Sequence, residues 1–195
     1  MYHKFIVETS VSAKMKQTGG FVSSMNNEQK NSYVKEQITK TLLLLLETKN
    51  IDDISISELT NAAEIGRVSF YRNYKSKEDI LRQEAGRLLT QWGSIFQTMS
   101  SNDEYNSFFL SLFDFFQANK AFFTTLYQSG LSHIIMDTIV ATAEISPQTQ
   151  NLEAYLKSFW AYGVYGWIIE WIKRGMQESS QELLKLFKNA QGNTI

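Results

Sequence analysis

Ile54–Leu81, ISISELTNAAEIGRVSFYRNYKSKEDIL, is the stretch that decides the fold. Ser55 stands three residues before Glu58, the spacing of a capping box, in which hydroxyl and carboxylate satisfy backbone N–H groups left open at a helix start. A short helix over 56–63 follows, with Ile56, Leu59 and Ala63 inward and Ser57, Thr60 and Asn61 toward solvent or a partner. After Glu64, Ile65 and Gly66, a second short helix over 67–73 carries Phe70 four residues before Tyr74, so both rings face one core. Most of its other side chains then point out. Ser76 ahead of Asp79 repeats the capping logic. From there Ile80, Leu81, Ala85, Leu88, Leu89, Trp92 and Phe96 carry a longer amphipathic helix onward.

Upstream, Val34, Ile38, Leu42, Leu45 and Leu46 fall at helical spacing and predict a first helix over 27–48. Asn50 is expected as a left-handed stop, with Ile51 and Ile54 bracketing two acids in a short connection. Two short helices joined by about three residues and locked against a longer one form the geometry that lays the second helix in a DNA major groove. The charged residues from Ile65 to Lys77 are Arg67, Arg72, Lys75 and Lys77, with no acid among them. The whole chain carries a net charge of −1, so this basic patch is local.

Past Met99 the sequence turns aromatic and sparsely charged, and helices are predicted over 103–119, 120–128, 131–143, 149–176 and 179–189. Gly130 and the single proline, Pro147, punctuate them. No two-residue alternation or long-period repeat is visible, and the reading is all-α: an N-terminal three-helix helix-turn-helix domain followed by a C-terminal helical bundle. The boundaries expected are a disordered extension over 1–25, the helix-turn-helix domain over 26–80 and the bundle over 81–195. Within the extension, Gly19, Gly20, Ser23 and Ser24 read as linker, no apolar stretch of about 7 to 15 residues marks a signal peptide, and Met25 is an alternative start. The apolar run Phe159–Ile172 holds Glu170 and is too short for a bilayer, so no membrane association is expected. The absence of cysteine rules out disulfides and thiolate metal sites and suits a reducing cytoplasm.

The segment Ile54–Leu81 resembles the DNA-binding signature of the TetR family of bacterial regulators, with Leu59, Ala63, Ile65, Phe70, Tyr71, Tyr74 and Lys77 in register. The resemblance covers roughly residues 34–89. It implies that Arg67, Val68, Ser69 and Asn73 face bases, that Ser55, Tyr71 and Lys77 hold phosphates, and that Arg72 serves either role. The chemistry agrees: arginine can pair with guanine O6 and N7, a valine methyl suits thymine, and asparagine can pair with adenine. Three positions depart from the family pattern. Glu64 stands where glycine is usual, Gly66 where a serine or threonine is usual, and Val68 where small residues are common, so a different turn is expected at Glu64.

The second half resembles the effector-sensing and dimerising domain of the same family, and Phe159–Leu183 is similar to the branch that includes regulators of dihydroxyacetone kinase operons. This implies a homodimer on a near-palindromic double-stranded DNA operator and a small-molecule effector, with repression the favoured outcome and the choice between repression and activation set by operator position. Gly163, Gly166, Trp167 and Trp171 are the candidate dimer residues. Phe113, Phe116, Tyr127, His133, Tyr155, Phe159 and Tyr162 are the candidate effector residues, which suit a largely apolar or aromatic ligand. No cofactor or metal is implied. The sequence shows no phosphate-cradling glycine loop, paired metal-spaced histidines or nucleophile elbow, so an enzyme is not expected. A helical regulator that works through a protein coregulator, with weak or no DNA binding of its own, is the alternative reading.

Overall fold

The computed structural model describes residues 26–98 and 104–192, and among them every regular element is a helix. The expected extension over 1–25 lies outside the described residues. Helix α1 (Asn27–Leu46) starts from a capping box that the sequence reading overlooked. The Asn26 side chain accepts from the Gln29 N–H at 2.8 Å, and the Gln29 side chain accepts from the Asn26 N–H at 3.0 Å. The left-handed stop expected at Asn50 is corrected. Glu47 closes α1 in right-handed geometry, and Asn50 is extended (φ −69°, ψ 152°), opening a 3-10 turn over Ile51–Asp53. An extended Asn50 lets Ile51 and Ile54 both reach the core, where each is buried.

Helix α2 (Ile56–Ala62) is capped by Ser55, whose hydroxyl accepts from the Glu58 N–H at 3.0 Å. The Glu58 carboxylate does not complete the box; it pairs with Lys49. Thr60, expected toward solvent, is only 1% exposed. Its hydroxyl donates to the Ser57 carbonyl at 3.2 Å, and a hydroxyl satisfied within its own helix can be buried at little cost. The turn that follows keeps the left-handed geometry that glycine would favour. Glu64 adopts φ 56°, its N–H donates to the Asn61 carbonyl, and the Ile65 N–H donates to the Thr60 carbonyl at 2.9 Å, the paired bonds of a Schellman closure.

Helix α3 (Arg67–Asn73) is held by Phe70, fully buried, and by Tyr74, 4% exposed, just past its end. Helix α4 (Lys77–Gln97) packs its first half, through Ile80, Leu81 and Ala85, into the same core. Then come α5 (Glu104–Ala118), α6 (Lys120–Gln128), α7 (Ser132–Thr142), α8 (Asn151–Lys173) and α9 (Ser180–Gly192). Helix α4 meets α1 and α7 and, further along, α5, where Trp92 stacks on Phe96 and meets Phe108 edge-on. Helix α7 lies against α6 and α8, and α5 against α9. The buried apolar set runs from Ile38 to Leu183 as one cluster. Phe109, Phe113, Phe116 and Phe123 fill its centre, with Phe116 and Phe123 ring centroids 4.3 Å apart.

A non-glycine residue in the left-handed region is strained, and nothing in the closure at position 64 requires a side chain. Glu64→Gly is expected to stabilise the fold by roughly 1 kcal/mol, seen as a raised Tm in a thermal melt.

Candidate nucleic-acid interface and sensing region

A seven-residue helix presents whatever its anchor leaves outward, and α3 is anchored on the Phe70 side. Arg67 and Val68 therefore stand in solvent, Val68 at 80% exposure, with Tyr71 at 62% and Arg72 beside them. Among the described residues, Arg67, Arg72 and Lys75 take part in no ion pair, whereas Lys49, Arg82, Arg87, Lys157, Lys173 and Arg174 all do. The row is a cationic and apolar strip without a carboxylate partner, suited to phosphates and base edges.

Other residues expected on this face sit differently. Ser69 is half-buried. The Asn73 side-chain amide donates to the Ser69 carbonyl at 2.8 Å, which turns it back onto its own helix. Ser55 spends its hydroxyl on the α2 cap. Lys77 is half-buried, and its ammonium donates to the carbonyls of Ile51 and, at 2.6 Å, Ile54. It ties the start of α4 to the turn ahead of α2, a job a lysine can do because its flexible stem delivers several donors to one point.

Ionisation follows these contacts. The hydrogen bond from Lys49 holds the Glu58 carboxyl below its usual range, burial pushes the Tyr74 hydroxyl up, and the hydrogen bond to Glu84 raises Arg87. A cleft of about 790 Å³ lies beside α3, lined by Asn27, Lys30, Asn31, Glu64, Ser69 and Arg72 among others, and the sequence reading did not anticipate it.

Residues 103–191 match a TetR-type family model described as "Transcriptional regulator C-terminal region". The C-terminal region is that of a TetR-type transcriptional regulator. No curated protein matches the chain in sequence. Among solved structures, Lin0861 from Listeria innocua is similar at 16% identity and a TM-score of 0.67, over 86% of this chain and 93% of that one. The fatty acid degradation regulator FadR from Bacillus halodurans is similar at 11% identity and a TM-score of 0.51, over 78% and 91%. The dihydroxyacetone kinase operon activator DhaS is similar at 16% identity and a TM-score of 0.49, over 80% and 93%. At these identities the first two establish a shared fold.

In this TetR-type region the seven candidate effector residues do not come together. Phe113 and Phe116 are fully buried, packed on Trp171 and Phe123 respectively, and Tyr127 is half-buried. His133 is exposed on α7, with Nε2 3.3 Å from the Glu78 carboxylate of α4. Beside it Arg82 pairs with both Glu78 and Asp137. Tyr155, Phe159 and Tyr162 are 70%, 72% and 59% exposed on α8, on the side away from the buried rings. The candidate dimer residues divide as well. Gly163 and Gly166 are on that exposed side, Trp167 is half-buried against Phe187, and Trp171 is buried in the core. Leu152 and Leu156, which the sequence reading passed over, continue the exposed stripe. The missed signal was that α8 carries no charged residue from Ser158 to Ile169, so apolar residues surround its central turns and leave one side more than a single chain's core can cover.

Among the described residues no group of three acidic, histidine or cysteine side chains could hold a metal, and no helix is long and apolar enough to cross a membrane.

Removing the Lys77 ammonium strands the Ile54 carbonyl behind the helix-turn-helix and leaves the Ile51 carbonyl with only the Ile54 N–H. Lys77→Met is expected to lower stability by roughly 1–3 kcal/mol, read by chemical denaturation.

Proposed function

We propose that this regulator is a ligand-responsive, DNA-binding repressor that grips a near-palindromic operator as a homodimer. Residues 26–80 act as the reading module and 81–195 as the sensing and dimerising module. The observation that carries the reading is the outward strip of α3, in which Arg67, Val68, Tyr71 and Arg72 are exposed together with no paired acid. Arg67 and Val68 read base edges and Tyr71 holds phosphate. Ser55, Asn73 and Lys77 act from behind, by keeping α2 and α3 in place.

The partner for the apolar side of α8 is a second copy of the chain. Leu152, Tyr155, Leu156, Phe159, Tyr162, Gly163 and Gly166 form one stripe, and large exposed apolar patches mark association surfaces. Glycine inside a helix costs roughly 1 kcal/mol against alanine. Yet a Cβ on Gly163 or Gly166 would meet nothing of this chain within 4 Å. A helix of the other subunit crossing at these glycines accounts for both features, and a two-fold axis makes the same stripe serve both sides. The two reading helices then fall about 34–36 Å apart, one turn of DNA.

For the effector, the buried Phe113–Trp171 contact supplies the chemistry. The Trp171 indole N–H has no acceptor among the described residues, so a largely apolar ligand with one hydrogen-bond acceptor suits it. Such a ligand acts by favouring a different separation of the reading helices. A regulator working through a protein coregulator is the competing reading, and duplex selection separates the two.

Selection from a random duplex pool is expected to enrich a near-palindrome. Arg67→Ala should then cost about 1–3 kcal/mol and relax one base position per half-site. Failure to enrich any sequence at low salt sinks the operator reading. Phe159→Glu should yield monomers in sedimentation with an unchanged helical spectrum; persistence of the dimer would place the interface elsewhere.

A further inference from the structure

The 790 Å³ cleft is walled by the first two turns of α1, the turn after α2 and one side of α3. None of the DNA-contact residues expected from the sequence lies on α1. Yet Lys30 and Asn31 from α1 line the cleft opposite Ser69 and Arg72 from α3. Among the described residues Lys30 has no ion pair. Arg72 has only the Ser69 hydroxyl, at 3.3 Å. Two uncompensated cations with amide and hydroxyl groups between them make a surface for an anion, and the cleft opens beside the strip proposed to enter the groove.

The third charge in the cleft has the opposite sign. Glu64 lines it as well, held there by the left-handed backbone of the turn. Its carboxylate is exposed and in no ion pair among the described residues. A carboxylate beside a phosphate seat repels the phosphate, and screening by salt weakens that repulsion.

We infer that the cleft between α1 and α3 seats the DNA backbone at the edge of the reading groove, with Lys30 and Arg72 as its phosphate ligands and Glu64 as a built-in brake on affinity. The inference rests on the DNA-binding reading and assigns Arg72 to the backbone rather than to the bases. Lys30 extends the footprint to α1. Because backbone contacts carry no sequence information, all three residues act equally on any duplex.

The test is the salt dependence of binding to one duplex of random sequence, measured by fluorescence anisotropy with the full chain. Lys30→Ala and Arg72→Ala should each weaken binding and make the slope of log K against log salt shallower by about 0.9. Glu64→Gln should tighten binding roughly two- to fivefold at low salt, with the gain fading as salt rises. Lys40→Ala is the control, since Lys40 lines a separate cleft between α1 and α4. It should leave the slope unchanged. If Lys30→Ala and Arg72→Ala leave the slope where it was, or if Lys40→Ala shifts it equally, the seat does not exist and only overall charge matters. If Glu64→Gln weakens binding, the carboxylate is a contact and not a brake. A wild-type chain that binds no duplex at all defeats the DNA-binding reading itself, an outcome distinct from normal binding with unmoved variants.

Discussion

The packing of Phe70 and Tyr74 into the core built by α1, α2 and α4 is the contact on which the exposed strip of α3 depends. A seven-residue helix is far below the length at which isolated helices persist in water, so α3 exists only because its inward side is held. The two rings lie 5.9 Å apart, and Leu59 of α2 is fully buried in the same core. Everything α3 offers to a partner follows from which side those rings claim. Val68 and Arg72 point outward because Phe70 points inward, and Asn73 turns back because it lies near the claimed side.

This explains which parts of the molecule were legible in sequence. Helix placement was, because period and capping are local: α3 and α6 match their expected spans residue for residue, and the others differ by a few residues at their ends. The anchoring rings were also legible, because spacing four apart on a helix fixes a common side. The Glu64 turn was misjudged, since the absence of glycine does not abolish a left-handed residue when two Schellman bonds enforce it. Lys77 was read as an outward cation because its two carbonyl acceptors sit 23 and 26 residues upstream, and nothing local announces such a bond.

The helical bundle was legible in kind but not in assignment. Tyr155, Phe159 and Tyr162 look like pocket rings when only their aromaticity is weighed, whereas the structure leaves them outside with Gly163 and Gly166. Trp171, nine residues beyond Tyr162 on α8, is inside. One helix supplies both a core face and an uncovered face, and a uniformly apolar sequence does not mark the line between them. That line is drawn by which neighbours arrive: α6 and α7 approach from other parts of the chain, and α9 brings Phe187 against Trp167.

Helix α4 belongs to two neighbourhoods at once. Its 21 residues span about 31 Å, with one end tied through Lys77 to the turn ahead of α2 and the other inserted by Trp92 among the bundle's phenylalanines. Next to the tied end, within the first six residues of the helix, Glu78 and Arg82 engage His133 and Asp137 of α7. It is therefore a lever arm with its fulcrum off centre. A tilt of about 4° over that length carries its far end through about 2 Å, comparable to the helix shifts that switch interfaces in other proteins. The fulcrum lies close to the helix-turn-helix, so a large movement among the bundle's aromatics becomes a small, stiff displacement of α2 and α3. This gearing trades amplitude for positional precision at the exposed side of α3, the surface proposed to meet base edges.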